Sequence, residues 1–96
     1  MAANFYVSEL LDRYGALLSD KQYRILDGYY NNDLSLSEIA ENEGITRQGV
    51  SDFVKRGEAQ LTEFEEKLGL IGTVKALKSA AANNNTKEIL NIIDKL

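Results

Sequence analysis

Residues Leu36 to Lys55 read LSEIAENEGITRQGVSDFVK, and the demands of packing two helices at a tight corner are met within them. Ala40 stands where the two helices would cross most closely, and a larger side chain would push them apart. Gly44 follows four residues later, in the turn, where a residue without Cβ takes φ > 0 at little cost. Ile39, Ile45, Val50 and Phe53 then fall on the faces that point into the wedge. The pattern departs at Glu43, where an apolar residue is more usual. Each element answers a separate steric requirement, and together they predict a helix-turn-helix. An ordinary helix pair joined by a glycine turn would build the same core, so function has to be read from the exposed positions.

The local signals on both sides agree. Ser35 and Glu38 have capping-box spacing, with Leu34 and Ile39 as a hydrophobic staple, so a short helix is expected from Leu36 to about Glu43. Ser19 with Gln22, Leu18 with Tyr23, and Asp20 repeat the device upstream, for a helix running to about Tyr30 and ending in the turn-favouring Asn31-Asn32-Asp33. Before it, Val7, Leu10, Leu11, Tyr14 and Leu17/Leu18 recur at helical steps and predict a first helix ending near Leu18.

Downstream, Thr46 is placed to cap a long helix. Its apolar positions Val50, Val54, Gly57, Leu61, Phe64 and Leu68 form a near-heptad stripe, with Phe53 beside it, that would lie in a groove or against a partner helix. A fifth helix is expected on Leu70, Ile71, Val74, Leu77 and Ala81. After Asn83-Asn84-Asn85, a sixth is expected on Ile89, Ile92, Ile93 and Leu96, with Asn85 and Glu88 at capping spacing. No strand-type alternation persists. The fold class is therefore all-α, with a helix-turn-helix domain over 1–69 (motif 36–55) and a C-terminal helical extension over 70–96.

Composition narrows the chemistry. Ninety-six residues support one core that buries roughly 60 to 65% of the unfolded surface. The chain has no cysteine and no histidine, which removes disulfides, thiolate zinc sites, thiol nucleophiles, Ser/His/Asp triads and imidazole bases together. A catalyst would have to work through carboxylates, Lys or Tyr. Asp12, Asp27 and Asp33 show no acid/base or metal spacing, and Gly69 and Gly72 make no phosphate loop. The expectation is a non-enzyme with no cofactor and no metal. No apolar run is long enough to cross a bilayer. The start, MAANFYVSELLDRY, meets Glu9 and Asp12 before any basic residue, unlike a signal peptide. The chain reads as cytoplasmic, with no membrane partner.

In a helix-turn-helix, the exposed first turns of the second helix form the reading surface: Thr46, Arg47, Gln48, Ser51, Asp52, Lys55 and Arg56. Arg47 has the chemistry for a guanine edge and Gln48 for an adenine edge, while Thr46, Ser51 and Lys55 suit phosphates. The charge argues the other way. The chain carries a net −4, and between residues 36 and 56 Glu38, Glu41, Glu43 and Asp52 outnumber Arg47, Lys55 and Arg56. Three cations support only a weak, salt-sensitive complex per monomer, so DNA is a weak partner. Glu58, Glu63, Glu65 and Glu66 then oppose Lys67 alone. This run reads either as a solvated helix face or as a surface for a basic protein, with Glu63, Glu65 and Glu66 as its partner-binding residues. Tyr29 and Tyr30, at helical spacing, read as core or rim residues.

The stretch from about Leu10 to Leu70 resembles the YlxM family of small helix-turn-helix proteins. The resemblance is carried by LLDRYGALLSDKQ (10–22), LSLSEIAENEGITRQGVSDFVKR (34–56) and EEKLGL (65–70). The middle block is shared with many helix-turn-helix proteins, notably region 4 of sigma factors, whereas the three blocks in combination are specific. After Leu70 the match weakens, where the family usually continues with a longer, more charged tail. The resemblance implies an all-helical domain like sigma region 4. It also implies a regulatory role in the signal recognition particle pathway, since the family's genes sit beside those of the particle's GTPase and receptor.

Three readings follow. One is a regulator binding that GTPase or its RNA complex, whose basic domain an acidic helix would face. Another is a transcriptional regulator reading DNA as a dimer. The last is an interaction module using the heptad stripe alone. A homodimer is expected, because Leu61, Phe64, Leu68, Leu70, Ile71 and Val74 offer more apolar surface than one short domain needs.

Overall fold

The computed structural model describes residues 5–96. Residues 1–4, the start of the segment weighed as a signal peptide, lie outside them. The described residues form helices α1 (Phe5–Tyr14), α2 (Asp20–Tyr30), α3 (Leu36–Glu43), α4 (Arg47–Leu68), α5 (Leu70–Ala82) and α6 (Thr86–Asp94), with a 3-10 turn at Gly15–Leu17 and no strand. None of these helices is long and apolar enough to cross a membrane.

The helix starts are where local chemistry puts them. Ser19 Oγ accepts from Gln22 N at 3.2 Å while Gln22 Oε1 accepts from Ser19 N. Ser35 and Glu38 make the same reciprocal pair at 3.1 and 3.0 Å, which also holds the Glu38 carboxyl below its ordinary range. Thr46 Oγ1 accepts from Gly49 N at 2.9 Å and Asn85 Oδ1 from Glu88 N at 3.0 Å. Each cap satisfies amides that the helix itself leaves without partners. Gly44, at φ +67°, closes α3 in the left-handed conformation.

Helix α4 is the hub, packed by α1, α2 and α3. Val50, Val54, Gly57 and Leu61 are buried beneath them, together with Leu10, Leu11, Tyr14, Ile25, Leu26, Ile39 and Ala40. The near-heptad stripe is thus covered by the chain's own helices, and the reading as a module that uses this stripe for a partner loses its surface. The stripe also stops early: Leu68 is exposed.

Three further details differ from the sequence reading. The first α-helix ends at Tyr14, and the 3-10 turn that follows leaves Leu17 exposed while Leu18 is buried. The Tyr23 ring lies on Gly15 at this turn, where a Cβ would come within 2.8 Å of it. On α5 the buried alanine is Ala80, not Ala81.

Helix α5 returns to α1 through Ile71, which joins the main core, and through an ion pair between Lys75 Nζ and Glu9 Oε1 at 3.5 Å. Helix α6 packs chiefly on α5. The α5–α6 hairpin therefore projects from the body. The molecule measures 52 × 21 × 16 Å, and its radius of gyration of 16.6 Å exceeds the roughly 12.5 Å of a compact domain of this length.

Candidate nucleic-acid and partner interface

The corner between α3 and α4 presents the predicted reading turn. Arg47, Gln48, Asp52, Lys55 and Arg56 are exposed, Ser51 is half-buried, and Thr46 is exposed with its oxygen occupied in capping α4. Gln48 Nε2 donates to Asp52 Oδ1 at 3.1 Å, which uses one of its two N–H groups and leaves the other, with Oε1, for a base edge. Ile39 and Val50 fill the wedge, with Ile45 and Phe53 half-buried at its mouth.

Phe53 organises a second cationic feature. The Arg56 guanidinium lies 5.1 Å from its ring centre and Lys21 Nζ lies 5.2 Å from it. Both are cation–π distances. Lys21, in the first turn of α2, thus joins Arg56 from a different element, and nothing in its sequence spacing marks it as part of this surface.

The acidic departure at Glu43 has a structural reason. Its two carboxylate oxygens accept from Arg24 Nε and Nη2 at 3.0 and 2.8 Å, a bidentate clamp tying α2 to the end of α3. The Arg24 hydrogen bonds hold Glu43 below the ordinary carboxylate range, against the opposing effect of burial. An apolar side chain at 43 would leave α2 without this contact.

Beyond the second turn of α4, the exposed face turns acidic. Gln48, Asp52 and Lys55 lie on the same stripe as Ala59, Thr62, Glu63 and Glu66. Lys55, Glu58, Ala59, Thr62, Glu63 and Glu66 line a shallow groove. Glu66 sits about 27 Å along the helix axis from Gln48 at 1.5 Å per residue. Partial burial raises the Glu58 carboxyl above its usual range, and Glu63 pairs with Lys67 at 3.6 Å.

Glu65 points elsewhere. Its carboxylate accepts from the Tyr14 hydroxyl, from Ile71 N at 3.0 Å and from Gly72 N at 3.1 Å, while the Tyr14 oxygen accepts from Leu70 N at 3.0 Å. It is a long-range cap on α5, reached across Gly69 at φ +64°. The Tyr14 hydrogen bond, helped by the two amides, holds its carboxyl below the ordinary range despite burial, and burial together with the same bond raises the Tyr14 phenol. Of the three acidic residues expected to face a partner, Glu63 and Glu66 share the groove and Glu65 is turned into the joint between α1, α4 and α5.

The apolar residues expected to drive self-association divide as well. Leu61 and Ile71 are buried within the monomer, Phe64 packs on Tyr14 with ring centres 6.0 Å apart and Val74 is half-buried, which leaves Leu68 and Leu70 exposed. Tyr29 and Tyr30 are half-buried against the core in an edge-to-face pair. Among the described residues no group of three acidic side chains is placed to hold a metal ion.

Comparison with known proteins agrees with this geometry. Residues 1–95 match the family model UPF0122, described as "Putative helix-turn-helix protein, YlxM / p13 like". A UPF0122 protein of Clostridium kluyveri is 44% identical over 96 residues, all of this chain and 82% of that protein. One from Desulforamulus reducens is 42% identical over 88 residues, 92% of this chain and 71% of the relative. One from Acetivibrio thermocellus is 61% identical over 62 residues, 65% of this chain and 53% of the relative. The chain thus spans from about half to about four fifths of the relatives it matches. With a helix-turn-helix corner in place and a match running nearly from end to end, the chain belongs to the UPF0122 family of YlxM/p13-like helix-turn-helix proteins.

Proposed function

We propose that this chain is a cytoplasmic regulatory protein of the signal recognition particle pathway that uses its helix-turn-helix to bind the particle's GTPase or that GTPase's complex with RNA. One observation carries the reading: the reading stripe of α4 runs without interruption into Glu63 and Glu66, beside Glu58 in one groove. A duplex lying along α4 would bring its phosphates against those carboxylates, whereas a basic protein surface gains from them. The pathway comes from the family resemblance, and the acidic stripe supports a protein or ribonucleoprotein partner within it.

The second reading, a DNA-binding regulator acting as a dimer, draws on Arg47, Lys55 and Arg56 with Lys21 nearby. It needs two such corners about 34 Å apart to meet successive turns of one groove face.

Titration of the protein with random duplex DNA, the particle's RNA and the particle's GTPase at about 50 and 150 mM salt separates the two. The proposal expects GTPase or ribonucleoprotein binding to persist at the higher salt and duplex binding to be weak at both. Submicromolar duplex binding with a steep salt slope, and none to the GTPase or its RNA complex, would overturn it. Arg47→Ala with Gln48→Ala tests the reading turn: unchanged binding to every ligand would remove it from the site.

A further inference from the structure

Helix α6 has nine residues and buries none of them fully, and its principal neighbour is α5. Leu90, Ile93 and Leu96 are 56%, 49% and 75% exposed. A helix this short has little stability of its own in water, and one neighbour covers only the Ile89/Ile92 side. At 100° per residue, Leu90 and Ile93 form an open apolar stripe. Lys87 and Asp94 lie together on its flank, seven residues apart and of opposite sign. Among the described residues neither takes part in a salt bridge within the chain.

That arrangement is self-complementary. In an antiparallel pair related by a two-fold axis, the same flanks of the two helices adjoin and their directions oppose, so position 87 of one helix meets position 94 of the other. With the axis between residues 90 and 91, both copies of Leu90 and Ile93 surround it. We infer that α6 pairs antiparallel with α6 of a second copy of this chain, Leu90 and Ile93 packing about the dyad and Lys87 facing the partner's Asp94. The apolar stripe provides the attraction and the two symmetric charge pairs set the direction and register. The contact goes beyond the proposed function, since it uses neither the reading turn nor the acidic groove, and it leaves both free in each copy.

Sedimentation equilibrium on the full chain from about 10 to 300 µM tests this through mass action. Wild type is expected to shift from monomer to dimer across that range, and Leu90→Ser with Ile93→Ser to stay monomeric. Lys87→Glu alone and Asp94→Lys alone each turn two attractions into two repulsions and are expected to weaken the dimer about fivefold or more. The double variant Lys87→Glu/Asp94→Lys restores the attraction with its sense reversed and is expected to recover dimerisation. Both single changes suit the helix dipole, acid at the start and base at the end, so fraying of α6 cannot account for their loss. A wild type monomeric at about 300 µM, a Leu90/Ile93 variant that associates like wild type, or a double variant no better than the singles would overturn the inference.

Discussion

Gly57 sits where α2 crosses α4, two residues beyond Lys55. A Cβ built there lies 2.6 Å from both Cδ1 and Cδ2 of Leu26 and 3.2 Å from its Cγ. Both methyls of the fully buried Leu26 lie inside contact distance, so its side chain or α2 itself has to shift. Replacing Gly57 by Ala should gain about 1 kcal/mol of helix propensity. Overpacking a closed core costs about 1–3 kcal/mol, so the net expectation is a loss of up to about 2 kcal/mol. For a domain of this size, that corresponds to a melting point lower by up to about 15 °C. Urea denaturation followed by circular dichroism measures it, with an unchanged slope showing that two-state unfolding is kept. Leu26→Ala in the same chain makes room for the new methyl, so the two changes together should cost less than the sum of their separate effects. A variant stabilised by about 1 kcal/mol, the full propensity gain, would refute the close crossing and the seating of α4 derived from it.

Three more substitutions probe the turn after α3, its cap and the joint at Glu65. Gly44→Ala forces a Cβ into the left-handed conformation at φ +67° with nothing nearby to compensate, so about 1 kcal/mol should be lost, and Gly44→Asn should recover most of it in the same denaturation assay. Ser35→Ala removes the cap of α3 and should cost about 1 kcal/mol, read as a lower urea midpoint. Glu65 has a folded-state pKa below its unfolded value, so its contribution is present at neutral pH and is lost as pH falls through the folded value. Glu65→Gln should therefore be less stable than wild type at pH 7, and the gap should close on the acid side of the ordinary carboxylate range, measured as melting points along a pH series.

What the sequence made legible was what local chemistry governs. The Ser19/Gln22 and Ser35/Glu38 boxes, the left-handed Gly44 and the span of α3 involve residues only a few positions apart, and the amide groups at a helix start need those partners wherever the helix lies. Ile39, Ala40 and Val50 could be assigned to the wedge for a similar reason, since the turn fixes how the two helices meet.

Glu65 could not be read this way. Its partner Tyr14 is 51 positions away, and a glutamate in an acidic run looks like a solvated charge until α1 is brought beside α4. The same holds for Lys21 on Phe53 and for Arg24 on Glu43, where an acid in a usually apolar position became intelligible only with α2 in place. The apolar surplus after Leu61 was visible, but its division was not. The return of α5 onto α1 buries Ile71 and leaves the open apolar stripe further along, at Leu90 and Ile93.

The claim that the α4 stripe favours a basic protein over a nucleic-acid duplex is tested most directly by one charge reversal read against two ligands. Glu63→Lys with Glu66→Lys changes the exposed groove without touching the Glu65 joint or the core. In anisotropy titrations at about 100 mM salt, the double variant should bind the particle's GTPase about tenfold more weakly than wild type and bind random duplex DNA more tightly. GTPase binding unchanged or strengthened by the reversal would contradict the account.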